Sequence, residues 1–475
     1  MNEKWAAGRR SLPAHRFRFV SVRKRAASAS LVVLSFILPL TAACGNGGRL
    51  AAAPHISSLT AAGSPGAANH PITVQGTITD ASTGRPVTSA HVTYDKRVVS
   101  SDANGGFRFQ SVPAKQTLYV VAAGYRRSVS PWNAAQPQIK LTPFQVRGLY
   151  MPFVGLTNPQ IMATIDKDTT NTEINTVVIE VKTDDGQISD QMATPAAQAA
   201  HAVVPGIDLK GFVQKMHDRG IYVVGRFVAF RDPILATAHP DWALRLVSNN
   251  QPYEDEQGQK WIDGFRQEVQ QYDLDIAEKA AQTGLDEIQF DYVRFPGAIS
   301  SLQYAEPFTQ ENRVAAISGF LKQAEERLRP YGVALSADTF GETTIAADDT
   351  GIGQDITTLG QYIDYYCPMV YPSTWADGAF DVAYPAADPY TIVLASTQSA
   401  IKRLAEIPTV RVRPWLQAFD DYNARQLSYT PDMVNTQKKA AADAGASGWM
   451  LWHPLSHFDA GVIGPPPDSA PTPTP

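Results

Sequence analysis

From Val146 onward the chain alternates short apolar runs with amphipathic stretches. The runs are VRGLYMP (146–152), TVVIEVK (176–182), YVVGRFVAF (222–230), EIQFDYVRF (287–295), ALSADTFG (334–341), YYCPMVY (365–371), VRVRPWLQAF (410–419) and SGWMLWHP (447–454). Runs this short, rich in Val, Ile, Phe and Tyr, predict buried parallel strands. Between them Leu209, Phe212 and Met216, and again Val314, Ile317, Leu321, Ala324 and Leu328, recur every three or four residues. That spacing lines one face of a helix, and Arg219-Gly220 is a good helix stop. Strand and helix alternating eight times predict an α/β fold, a (β/α)8 TIM barrel over residues 146–460. A doubly wound sheet is the rival, but it needs fewer strands and no GxGxxG follows a first strand. Little chain follows Pro454, so the eighth helix is expected to be short or missing.

Upstream the period shortens to two. Between residues 71 and 142, ITVQGTITD, AHVTYD, GGFRFQSV and TLYVVAAGY are broken by Thr83-Gly84-Arg85-Pro86 and Ala103-Asn104-Gly105-Gly106. Alternation with such turns predicts half-buried strands in a small antiparallel sandwich. Residues 44–70, small and Gly/Ala/Ser/Pro-rich, suit a flexible tether. The end, GPPPDSAPTPTP (464–475), cannot build a core.

Charge changes the picture at the amino end. Residues 1–43 hold eight Lys and Arg against one acid, which leaves 33 basic against 45 acidic groups, a net of −12, on the rest. So acidic a body would repel phosphates, which argues against nucleic acid as a partner. The basic stretch ends in Arg23-Lys24-Arg25, and an apolar run from Ala26 to Leu40 follows, then Thr41-Ala42-Ala43-Cys44. The run is short for a bilayer span, and basic flank, apolar core and small residues mark a secretory signal. The last four residues resemble a bacterial lipobox, with Thr41 where Leu is usual. That resemblance implies lipidation of Cys44, a membrane anchor and an extracytoplasmic location. An ordinary signal peptide cut nearby is the alternative. With only two cysteines, Cys44 and Cys367, there is no disulfide framework.

Barrel chemistry sits at the C-terminal ends of the strands. Those ends carry Glu180, Lys182, Arg226, Asp291, Arg294, Asp338, Tyr371, Gln417, Trp452 and His453, with Trp415 close by and Asp355 on a loop. No His/Cys/Asp cluster has metal-ligand spacing, and no GxSxG elbow or Walker loop occurs, so neither metal nor cofactor is expected. Several carboxylates among aromatics are the kit for breaking glycosidic bonds.

The stretches GLYMPF, NTVVIEVKTDDG, GIYVVGRFVAFRDP, DEIQFDYVRFP, LSADTFG, GIGQDI, YCPMVYPS, VRPWLQAF and GWMLWHP resemble a bacterial family of TIM-barrel putative glycoside hydrolase domains. The motifs recur in order across nearly all of residues 147–454. This resemblance implies a carbohydrate substrate. VQGTITDASTGRPVTSAHV, SDANGGFRFQSVP and a late AAGY resemble the carboxypeptidase-regulatory-like family, whose members are non-catalytic spacers or adhesive modules.

Asp291 is expected to end the fourth strand two residues after Gln289, so both should face the barrel interior while Phe290 packs against helices. Asp291 and Asp338, ending adjacent strands, are the expected acid pair; an ion pair with Arg294 and a loop cap are their structural alternatives. Glu180 is a third candidate, with a salt bridge to Lys182 or Arg226 as its plain role. Lys182, Arg226, Arg294, Asp355, Tyr371, Trp415, Gln417, Trp452 and His453 are candidate substrate contacts, while Glu287 is expected at the wrong end and Cys367 in the core. Asp291 is cast as the ionised nucleophile or base and Asp338 as the acid, with the reverse also open. Carboxyls about 5–5.5 Å apart would give retention and about 6.5–9.5 Å inversion. A carbohydrate-binding barrel without turnover and a structural envelope lipoprotein are the other classes compatible with the sequence.

Overall fold

Eight runs that are apolar on both faces can satisfy themselves only where both faces are covered, and closure into a barrel does this. In the computed structural model, which describes residues 71–297, 301–421 and 425–467, the strands are Val146–Met151, Thr176–Lys182, Tyr222–Val228, Glu287–Asp291, Ala334–Phe340, Tyr365–Met369, Trp415–Gln417 and Gly448–Trp452. Each pairs in parallel with the next, and the eighth pairs with the first. The seventh run is split: Arg411–Val412 pairs separately, and Pro414, which lacks a ladder donor, precedes the strand proper. Cys44, the leader and the tether lie outside the described residues.

Side chains on the outer face, among them Ile179, Phe227, Ile288 and Phe290, pack against Phe212, Met216, Ile276 and Phe320 of the surrounding helices. The inner face holds Tyr150, Val178, Val224, Cys367 and Met450. Helices of ten residues or more follow six of the strands, and Asn158, Asp208, Thr309, Asp388 and Thr430 cap five of them with side-chain oxygens. After the fifth strand come a short 3-10 turn, Gly341–Thr344, and the one-turn α-helix Ile356–Leu359. After the eighth no helix forms among the described residues. At the N-terminal end of the barrel Glu287 is fully buried, ion-paired with Arg413 and accepting from Ser336 Oγ (2.5 Å) and Tyr222 Oη (3.2 Å). It is a base-of-barrel brace, far from the mouth.

The region before the barrel has seven strands in two sheets. One sheet orders Gly106–Val112, Ile72–Asp80 and Gln138–Leu141; the other orders Arg97–Ser100, His91–Tyr94, Thr117–Val121 and Ser128–Pro131. Val74, Ile78, Val92, Phe107, Phe109, Leu118 and Val120 fill the space between them. The strands pair antiparallel as expected except at one pair, Gln138–Leu141 with Ile72–Asp80, which runs parallel because a crossover rather than a hairpin joins them. This region also closes the bottom of the barrel. Val121, Ala123 and Phe144 join the cluster of Tyr222, Val224 and Tyr365, and Arg127 pairs with Asp286 (3.1 Å) while donating to Gly332 O (2.5 Å).

Candidate active site

The second, third and fourth strands deliver inward side chains near their C-terminal ends to one point. Arg226, almost fully buried, is the hub. Its Nη1 donates to Glu180 Oε1 (2.5 Å), its Nε and Nη2 both donate to Asp291 Oδ2 (2.9 and 2.5 Å), and Asp184 Oδ1 lies 3.3 Å from Nη2. Three carboxylates therefore share one guanidinium. Asp184 is divided further, its other oxygen accepting from Arg231 Nη1 at 3.0 Å. Burial raises the Glu180 carboxyl to about 7, with Arg226 opposing and the charges of Asp184 and Asp291 adding to the rise.

Phe290 pairs with Ala337, so Asp338 comes up beside Asp291 on the adjoining strand. Asp338 is buried and its proton affinity is well above the ordinary carboxylic range, first through burial and then through the charge of Asp291. One oxygen accepts from Trp415 Nε1 at 2.8 Å. The neighbouring loop is tied to the same strand end by Gln354, which accepts from Phe340 N (3.0 Å) and donates to Asp338 O (3.1 Å). Asp291 Oδ1 accepts from the Tyr292 amide at 2.6 Å, and Tyr292 itself has a left-handed backbone (φ 50°), uncommon for an aromatic residue. Such strain clusters where side chains must be held in working positions.

Several expected substrate contacts are placed elsewhere. Lys182 is turned out of the barrel by a bulge: Arg226 pairs with Glu180 but Phe227 with Lys182, so one extra residue, Val181, reverses its face. It is fully buried against Asp232 and Asp273, above the Phe227 ring. Arg226 braces acids and is too deep to present itself to solvent. Trp415, 1% exposed, positions Asp338 and is no open platform. The Gln417 amide is taken up by Ser373 N and Oγ (3.1 and 2.6 Å) and Phe419 O (3.0 Å). Asp355 caps its short helix through Thr358 N (2.8 Å), which also holds its carboxyl low, burial opposing. His453 Nδ1 accepts from the amides of Leu455 and His457 (both 3.2 Å), and burial lowers its proton affinity, so its ring pins a turn.

At the mouth itself remain Trp452, half-buried and lying 4.1 Å from the Tyr150 ring with Arg226 beneath it, and Tyr371, buried edge-on to Phe419. Arg294 is also there, half-buried. Asp184, Arg231 and Gln354 were not among the expected residues. Asp184 stands two residues past the second strand in Lys-Thr-Asp-Asp-Gly, and counting loop residues as mouth lining would have found it. A separate open cleft of about 600 Å³ in the β region is lined by Gly76, Phe107 and Pro137; its one acid, Asp102, is bound into its own turn by the amides of Asn104 and Gly106 (2.8 Å each).

Residues 148–458 match the family model described as "Putative glycosyl hydrolase domain". The chain belongs to that family. Residues 73–148 match the carboxypeptidase regulatory-like domain. The glycoside hydrolase domain of PgaB (BpsB) from Bordetella bronchiseptica superposes with a TM-score of 0.50 at 12% identity, covering 66% of this chain and 95% of that one, a likeness of fold alone. A hypothetical protein from Ruminiclostridium thermocellum ATCC 27405 is 32% identical, covers 40% of this chain and 96% of its own, and has a TM-score of 0.36. No curated protein matches this sequence.

Proposed function

We propose that this protein is an exported glycoside hydrolase, anchored through Cys44, that cleaves a poly- or oligosaccharide with Asp338 and Asp291. The carrying observation is the contrast between two adjacent carboxyls: Asp338 is enclosed, with burial raising its proton affinity, while Asp291 is ion-paired with Arg226. Breaking an acetal needs both states at once. Asp338 donates its proton to the departing glycosidic oxygen. Asp291 faces the positive charge that develops at the anomeric carbon, as nucleophile or as base for a water. Glu180, poised near neutrality and joined to Asp291 through Arg226, keeps the local charge balanced as that proton moves. Trp452 offers a ring for the sugar face. Membrane anchoring rests on the lipobox-like Thr41-Ala42-Ala43-Cys44, and the regulatory-like region would then serve as spacer.

The test is release of reducing ends when the full chain is incubated with bacterial envelope polysaccharides and with plant and fungal glycans. Turnover that disappears in Asp338→Asn supports the reading. A second reading is favoured by one observation, that Asp291 has Oδ2 taken twice by Arg226 and Oδ1 by the Tyr292 amide. On that reading the barrel binds glycan without cleaving it, and calorimetry would detect binding with no reducing ends from any substrate.

A further inference from the structure

Among the described residues, Arg294 is a cation of the mouth without a carboxylate partner. It stands three residues after Asp291, and its guanidinium lies 4.3 Å from the centre of the Phe340 ring, 4.8 Å from Trp261 and 5.2 Å from Tyr292. Phe340 closes the strand that carries Asp338, so this aromatic box bridges the ends of the two strands bearing the acid pair. Arg226 and Arg231 each have carboxylate partners, but Arg294 forms no ion pair among the described residues. Among the described residues its Nη1 donates to Phe295 O at 2.9 Å, against five donors on a guanidinium. Burial already lowers its proton affinity, with Asp291 among the charges that oppose this.

The guanidinium is held half out of water by three rings, and its unmatched donors stay open to solvent, where a counter-anion can reach them. The rings stop the side chain from folding back, which leaves the planar fork pre-set for a bidentate partner. Packing alone would be served as well by Met or Leu. We propose that Arg294 is a specificity determinant that receives the carboxylate of an acidic sugar next to the scissile bond, so that the substrate class is a uronic-acid-containing glycan. This deepens the hydrolase reading and rests on it.

The full-length protein is tested by calorimetry, as the non-cleaving Asp338→Asn form, against polygalacturonate, glucuronoxylan and alginate, each beside its carboxyl-reduced neutral counterpart. Reducing-end release is measured on the same pairs with the parent. At least one acidic glycan should bind at least about tenfold better than its neutral counterpart. Arg294→Gln should lower affinity for it by about 10²-fold and bring the acid-to-neutral preference towards one. Arg294→Lys, which keeps the charge and loses the fork, should fall between, so a misfolded Gln variant would not decide the outcome. Equal binding of acidic and neutral forms, or a preference that survives Arg294→Gln, overturns the inference. Cleavage confined to neutral glycans overturns it and leaves the hydrolase reading standing. Binding of an acidic glycan that depends on Arg294, with no cleavage of any substrate, upholds Arg294 as the receiver of the sugar carboxylate and overturns the hydrolase reading together with its scissile bond.

Discussion

Lys182 tests the assignment of faces at the end of the second strand. Its ammonium is fully buried, 2.8 Å from Asp232 and 3.1 Å from Asp273, and it donates to the carbonyls of Val228 (2.9 Å) and Ala229 (3.2 Å). Lys182→Met keeps the apolar stem and removes the cation, leaving two carboxyls among apolar side chains. Breaking a buried pair from one side costs about 3–5 kcal/mol, a large fraction of the roughly 5–15 kcal/mol that holds a typical protein folded. The penalty should depend on pH. Burial raises Asp273 from 3.8 to about 7, with Lys182 opposing and Asp232 adding. A raised folded value means that the folded state binds more protons than the unfolded one between those limits. Its contribution is therefore present in acid and is lost as the pH rises through 7. Without the lysine Asp273 titrates higher still, so protonation rescues the variant in acid. Urea unfolding should show the deficit widest at about pH 8 and narrowing towards about pH 5. Lys182→Met with Asp232→Asn and Asp273→Asn, which carries no buried charge, should regain much of the loss. Parental stability across the range with a raised KM for glycan would refute the reasoning and put Lys182 in the mouth.

Asp291→Asn and Asp338→Asn should each lower turnover by at least about 10²–10⁴-fold, with little change in Tm for Asp338→Asn and a lower Tm for Asp291→Asn, which breaks the buried pair with Arg226, and together by much less than the product; Tm losses in both with per-molecule activity intact would make the pair structural. Trp415→Phe removes the bond that lowers Asp338's proton affinity, so the alkaline limb of the kcat profile should move to higher pH; a shift the other way would remove Asp338 as the acid. A chain starting at Pro143 should keep its per-molecule activity but unfold at lower urea, since Val121, Ala123 and the Arg127–Asp286 pair are lost from the barrel floor; loss of turnover in a folded sample would show that the β region reaches the site. Cys44→Ser should release the protein from the membrane fraction, and unchanged association would end the anchor proposal.

The eight strands were legible because burial on both faces leaves unbroken Val, Ile and Phe runs, and strand period alone turns Asp291, at the end of the fourth strand, and Asp338, two residues before the end of the fifth, towards the interior. Period two places Gln289 and Asp291 inward and Phe290 among the helices. It fails at Lys182, because a bulge adds a residue without altering the apolar pattern, and no local signal marks Val181 as the extra one. The hub at Arg226 was also out of reach. Which of several acids an arginine gathers depends on three strands and a loop far apart in sequence, whose distances exist only once the barrel closes. The same holds for Trp415, whose ring reads as a sugar platform in the sequence and becomes a donor to Asp338 across 77 residues when strands five to eight curl together. Loop residues divide likewise: in Gly-Gln-Asp the aspartate caps its own helix, a local choice, while Gln354 braces the acid-bearing strand, a choice made by closure. Residue type and period determine what each strand offers to the interior. Closure determines which of those groups meet, which are buried deeply enough to keep a proton, and which, like Arg294, are left facing the mouth without an anion.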